Sequence, residues 1–108
     1  MAFSSWILAS RIKTLPAALS PILMGLVLAY TTQPLKISLA LITMSAAICI
    51  QVGTNFANDY FDFIKGADTP DRLGPPRMTQ TGAISPQAMK WAFIVMFILA
   101  FIQGLVLV

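Results

Sequence analysis

Five polar side chains recur on one flank of a strongly apolar segment: Gln51, Asn55, Asn58, Asp59 and Asp62. With about 100° between consecutive residues of an α-helix, they share an arc of about 100°. Asn55 and Asp59 are four residues apart, as are Asn58 and Asp62, so each pair stacks on one face. Carboxylate and amide oxygens suit Mg²⁺ better than zinc or copper. The pattern predicts a magnesium site on this flank.

The acidic residues of the chain are concentrated at this place. There are four, Asp59, Asp62, Asp68 and Asp71, and no Glu. Each carboxylate in a membrane helix raises the free energy of membrane insertion by about 2.5–3.5 kcal/mol. A cation between two carboxylates would offset this cost. Bound Mg²⁺ keeps positions for water and phosphate oxygens, so a phosphorylated ligand is expected beside it. For Asp71 and Lys90, a solvated loop with ion pairs is an interpretation at least as good as a role in a binding site.

The basic residues that follow fit such a ligand. Lys65, Arg72 and Arg77 lie just downstream of the stripe and could neutralise phosphate oxygens directly. No nucleic acid partner is expected.

The chain as a whole has the composition of a protein with membrane helices. It is 57% hydrophobic and 10% charged, with a mean hydropathy of +0.80, whereas soluble domains carry roughly a quarter charged residues. Apolar runs of membrane-crossing length, about 20 residues, predict spans over 15–33, 35–58 and 88–108. A loop over 59–87 then carries the acidic motif. The predicted fold class is an all-α, polytopic transmembrane protein.

Charge placement predicts the orientation. Arg11 and Lys13 precede the first span, Lys36 alone lies between the first and second, and four basic residues lie in 65–90. The positive-inside rule therefore places the N-terminus and the motif loop in the cytoplasm. Residues 3–12 are typical of a short amphipathic helix at the membrane surface.

Three stretches resemble one family. NDYFDFIKGAD, residues 58–68, resembles the first aspartate-rich motif of the UbiA superfamily of intramembrane aromatic prenyltransferases. In the ubiquinone-branch form, NDxxDxxxD, the last acid would come two positions before Asp68. The wider spacing NxxxDxxKGxD is similar to the menaquinone branch, the 1,4-dihydroxy-2-naphthoate polyprenyltransferases. SRIKTLPAALSPILMG resembles the N-terminal signature of that branch, with Ile12 at the usual Pro, and DRLGPPRMTQTGAIS resembles its loop after the motif.

The resemblance implies a fold and an activity. Members of the superfamily have nine transmembrane helices around a central cavity, of which three would be present here. They use Mg²⁺ to bind and ionise a polyprenyl diphosphate and then alkylate an aromatic ring. Attack by 1,4-dihydroxy-2-naphthoate, with loss of its carboxylate, would give demethylmenaquinone. The expected location is the bacterial inner (plasma) membrane.

The resemblance also implies roles for individual residues. Asn58, Asp62 and Asp68 would hold Mg²⁺ and the diphosphate, with Asp59 as a further metal ligand. The remaining candidates would bind or neutralise the diphosphate: Lys65, Arg72, Arg77, Gln80, Arg11 and Lys13.

The superfamily carries a second aspartate-rich motif on a later helix, and this sequence has none. Because the third span is still apolar at Val108, we expect residues 1–108 to be the N-terminal part of one larger membrane domain, inactive alone. Two alternatives stay open. One is a prenyltransferase for another acceptor, such as 4-hydroxybenzoate, homogentisate or haem. The other is a small membrane protein that binds a cation or anionic lipid without catalysis.

Overall fold

The computed structural model describes residues 2–66 and 78–108, apart from the side chains of Ala2 and Gln80. In these ranges, every regular element is helical. The elements are α1 (Ala2–Ser10), a 3₁₀ turn (Ile12–Thr14), α2 (Leu15–Tyr30), α3 (Ile37–Ile64), α4 (Met78–Thr81) and α5 (Pro86–Leu107). The predicted all-α class is confirmed.

Three helical segments are long and apolar enough to cross a membrane: Phe3–Tyr30, Ile37–Ile64 and Pro86–Leu107. The first combines α1, the 3₁₀ turn and α2. The second continues past the predicted end at residue 58, so the first residues of the predicted loop are helical. Gly66 follows the end of α3 with a φ of +71°, a left-handed conformation that glycine adopts without steric cost. The motif therefore begins on a rigid helix.

A sharp bend separates α1 from α2. Arg11 has a φ of 52°, which is uncommon for a residue with a side chain. Its carbonyl oxygen accepts hydrogen bonds from both the backbone N–H and the hydroxyl of Thr14, each at 2.8 Å. The bend allows α1 to pack against α3, where the rings of Trp6 and Phe56 meet edge to face with their centroids 5.4 Å apart. Pro16 then lies in the first turn of α2, a favourable position because a backbone N–H there would have no partner within the helix.

Helix α3 is the central helix of the described bundle. Both neighbours run antiparallel to it: Thr14, before α2, contacts Gln51, and Phe97 of α5 lies beside Gly53. Eight residues of α3 are buried, against none of α2 and two of α5. The outer faces of α2 and α5 consequently expose large apolar side chains, as expected of helices in contact with lipid or further helices.

The buried core lies at one end of the bundle. Side chains from α1, α3, α4 and α5 meet there with the segment before α5, and Met89 at the start of α5 is fully buried. The members of this core are Ala9, Val52, Phe56, Met78, Ile84 and Met89. This end, which also carries the last turns of α3, is called the motif end below.

The crossing of α3 and α5 depends on Gly53. A Cβ atom there would lie 2.9 Å from Phe97 Cε1 and 3.2 Å from Met96 Cβ. We expect Gly53→Val to lower the unfolding free energy of the chain in detergent by about 1–3 kcal/mol, since overpacking forces the helices apart. Gly25→Ala is the control, because nothing lies within 4 Å of its added Cβ. Equal thermal stability of the two variants would contradict this account of the crossing.

Candidate functional site

The amides of Gln51 and Asn55 join α3 to the N-terminal bend. Asn55, only 6% exposed, donates through Nδ2 to the Ser10 carbonyl at 2.7 Å and to Thr14 Oγ1 at 3.0 Å. Gln51 Nε2 makes longer contacts of 3.4 Å with Thr14 Oγ1 and Asn55 Oδ1. Both hydrogens of the Asn55 amide are thus used within the protein. These two members of the polar stripe hold helices together, contrary to the expectation that the whole stripe lines a metal cavity.

Asp59 also faces the protein interior. It is 3% exposed, and its two oxygens accept separate backbone N–H groups at the start of α4. Oδ2 accepts from Met78 and Oδ1 from Thr79, each at 2.9 Å. Those N–H groups have no partner inside their own short helix, so the carboxylate caps α4. The position of Asp59 differs from that of a solvent-facing metal ligand.

Asn58 and Asp62 are less buried than Asn55 and Asp59. Asn58 is exposed and Asp62 half-buried, and the two lie one helical turn apart near the end of α3. Lys65, the next predicted site residue, is exposed directly after the helix. Within the described residues, no group of three or more His, Cys, Asp or Glu side chains is arranged around a common point. Asn58 and Asp62 alone would leave a metal site incomplete.

The other predicted site residues divide by position. Arg11 is half-buried at the N-terminal bend and Lys13 is exposed in the 3₁₀ turn, both at the motif end. The backbone of Gln80 lies in α4. Three predicted ligands of the metal or diphosphate, Asp68, Arg72 and Arg77, lie outside the described residues, as does Asp71.

Sequence reasoning missed the residues that support the stripe. Thr14, Met78 and Thr79 supply its partners through a hydroxyl and two backbone N–H groups. Thr14 comes just before an apolar helix, which predicts an N-cap, but its hydroxyl makes no cap hydrogen bond, so this pattern did not indicate its contact with Asn55. Every residue except proline has a backbone N–H group, so nothing in the sequence indicated that Asp59 would accept hydrogen bonds from those of α4.

The fold and the site define an integral membrane protein with an oxygen-rich helix end beside basic residues. The chain belongs to the UbiA prenyltransferase family, whose family model matches residues 18–108.

Curated relatives match most of this chain. The chain is 41% identical over 104 residues to "1,4-dihydroxy-2-naphthoate octaprenyltransferase" of Escherichia coli (strain K12), covering 96% of this chain and 34% of that protein. Proteins of the same name from Haemophilus influenzae and Mycobacterium tuberculosis are 44% and 33% identical. These two alignments cover 92% and 97% of this chain, and 33% and 36% of the relatives. The chain therefore spans about a third of the length of these relatives. No solved structure matches it significantly.

The contact between Asn55 and Thr14 should be measurable as a coupling energy. In a double-mutant cycle of Asn55→Ala and Thr14→Val, we expect a coupling of about 0.6 kcal/mol, the average for polar contacts between membrane helices. Unfolding in detergent or bicelles provides the measurement. Thr43→Val is the matched control, because that hydroxyl bonds only to Leu39 of its own helix. A coupling energy between Asn55 and Thr43 as large as that between Asn55 and Thr14 would refute the contact.

Proposed function

We propose that the complete gene product transfers a polyprenyl group from polyprenyl diphosphate to 1,4-dihydroxy-2-naphthoate. The carbon–oxygen bond of the allylic diphosphate breaks, and a ring carbon of the naphthoate forms the new carbon–carbon bond. Diphosphate and carbon dioxide leave, giving demethylmenaquinol, and an external oxidant such as dioxygen then takes two electrons and two protons to give demethylmenaquinone. The proposal is made for the complete gene product because the chain spans about a third of its relatives.

The observation that carries this proposal is the Asn58–Asp62 pair, two oxygen-bearing side chains one helical turn apart near the end of α3, in a member of the UbiA family. Prenyltransferases of this family generally use a divalent metal. The oxygen donors of this pair fit Mg²⁺ chemically, and Asp68 would add a further carboxylate. When bound, Mg²⁺ would neutralise charge on the leaving diphosphate.

The basic residues complete the proposed diphosphate site. Arg11, Lys13 and Lys65 all belong to the motif end, where their charges would attract the diphosphate and stabilise it as it leaves. Arg72 and Arg77 would contribute further charge, and Gln80 would orient the diphosphate through its amide. Each of these groups acts by binding and charge stabilisation, so no covalent nucleophile is required.

The apolar helices support the remaining part of the chemistry. Exposed faces of α2, α3 and α5 are rich in Leu, Ile, Val and Phe, which would keep water from an allylic cation and accommodate a polyprenyl chain. The basic residues around the motif favour a cytoplasmic motif end in the bacterial inner membrane. The naphthoate acceptor is supported by the names of the relatives and by the NxxxDxxKGxD spacing.

A direct assay tests the proposal. Membranes containing the complete gene product should convert polyprenyl diphosphate and 1,4-dihydroxy-2-naphthoate to the prenylated naphthoquinone when Mg²⁺ is supplied. Asp62→Asn should lower kcat/KM by about 100-fold, because it removes a charged ligand from the metal and diphosphate. Liquid chromatography with mass spectrometry measures the product, and chelation of divalent metal should abolish it.

Two comparisons make the assay decisive. Ser38→Ala, an exposed change at the opposite end of α3, should leave the rate unchanged and so reports on expression and insertion. Replacing the naphthoate by 4-hydroxybenzoate or homogentisate should give no product. Prenylation of one of those acceptors instead would overturn the proposed substrate, and metal binding without any turnover would favour the non-catalytic alternative. The 108-residue chain alone is expected to be inactive.

A further inference from the structure

The carboxylate of Asp59 connects two segments that are distant in sequence. One oxygen accepts the N–H of Met78 and the other accepts the N–H of Thr79, both at 2.9 Å. Asp59, Met78 and Thr79 are all at least 95% buried. A buried carboxylate is tolerated when charge-assisted hydrogen bonds replace its water, and these two contacts do so.

Further contacts fix α4 in place beyond this attachment. The N–H of Ile84 donates to the Met78 carbonyl at 3.2 Å, closing a turn in which Gly82 has a φ of +81°. Met78 and Ile84 are buried in the same core as Met89 of α5. The segment 78–84 is therefore held between the end of α3 and the start of α5, and Asp59 supplies its polar attachment to α3.

The neighbours of Asp59 differ from it in accessibility. Asn58 is exposed and Asp62 half-buried, whereas Asp59 is only 3% exposed. Both oxygens of Asp59 already point at backbone N–H groups in the interior. Each oxygen of Asp59 thus gives an acceptor position to α4, in a side chain that is only 3% exposed.

We infer that Asp59 is a positioning residue, which fixes α4, and with it Gln80, beside the Asn58–Asp62 pair without itself binding the metal. The attachment of α4 is independent of what the protein catalyses. Its consequence for turnover rests on the proposed function, since Gln80, a candidate diphosphate ligand, belongs to α4.

Hydrogen–deuterium exchange tests the attachment without any ligand. Asp59→Asn keeps the size of the side chain but turns an NH₂ group toward one backbone N–H. We expect the amides of Met78 and Thr79 to exchange about 10- to 100-fold faster, as for the loss of a hydrogen bond to a charged group. The amides of α5 from Ala92 to Ala100 should stay protected, which shows that the fold is intact. Asn58→Ala is the control, and it should leave Met78 and Thr79 protected.

A second variant covers the case in which Asp59→Asn does not fold. Asp59→Glu keeps two acceptor oxygens, so it should retain more protection at Met78 and Thr79 than the Asn variant. Unchanged exchange at both amides in a folded Asp59→Asn protein would overturn the inference. So would fast exchange in a folded Asp59→Glu protein that matches Asp59→Asn.

Kinetics of the complete gene product separate positioning from metal binding. Asp59→Asn should lower kcat/KM for polyprenyl diphosphate by about 10- to 100-fold through misplacement of α4. The Mg²⁺ concentration at half-maximal rate and the KM for the acceptor should stay unchanged, whereas Asp62→Asn should raise the Mg²⁺ requirement. Gln80→Ala should lower kcat/KM by a smaller factor in the Asp59→Asn variant than in the wild type. A raised Mg²⁺ requirement in Asp59→Asn would identify Asp59 as a metal ligand and overturn the inference.

The two proposals fail in different ways. If the complete gene product transfers no prenyl group, the proposed function fails, and the exchange experiment still decides whether Asp59 holds α4. If the enzyme is active but Met78 and Thr79 exchange alike in wild type and Asp59→Asn, the positioning role fails alone.

Discussion

Polar groups of a membrane helix must find partners inside the protein or face a polar cavity, because lipid supplies none. Helix α3 meets this constraint in two different ways along a single flank. Gln51, Asn55 and Asp59 contact other parts of the chain, through the bend before α2 and the first residues of α4. Asn58 is exposed and Asp62 half-buried on the same flank. The contacts of Asn55 and Asp59 fix the part of α3 that carries Asn58 and Asp62.

This division explains why the core of the described chain lies at the motif end. The N-terminal helix packs on α3 through Trp6 and Phe56, and Met78, Ile84 and Met89 add the return segment and α5. Elsewhere the helices bury few residues and present apolar surfaces, which suits lipid or additional helices. Packing is therefore densest where polar groups must be held accurately, and loosest where apolar surface suffices.

Sequence patterns predicted much of this arrangement. Hydropathy predicted three spans, Pro16 predicted the start of α2, and the 100° periodicity placed the stripe on one flank. The partners of Asn55 and Asp59 could not be predicted, because they come from residues 10–14 and 78–79 and depend on tertiary contact. The helical geometry of the stripe extended the second span through Asp62, and α3 continues two residues further, to Ile64, because the acidic motif contains no helix-breaking residue before Gly66. The roles of Asp68, Arg72 and Arg77 stay predictions, because these residues lie outside the described ranges.

The adjacency of Asn58 and Asp59 shows why motif spacing alone does not assign roles. Consecutive residues on a helix point about 100° apart, so two neighbours in one acidic motif meet different surroundings. Here one faces outward and the other is enclosed by α4. Alanine substitution would lower activity both for a carboxylate that fixes a neighbouring segment and for one that binds a cation, so it does not distinguish the two roles. Their difference lies in what each oxygen already contacts, and for Asp59 those contacts are two backbone N–H groups.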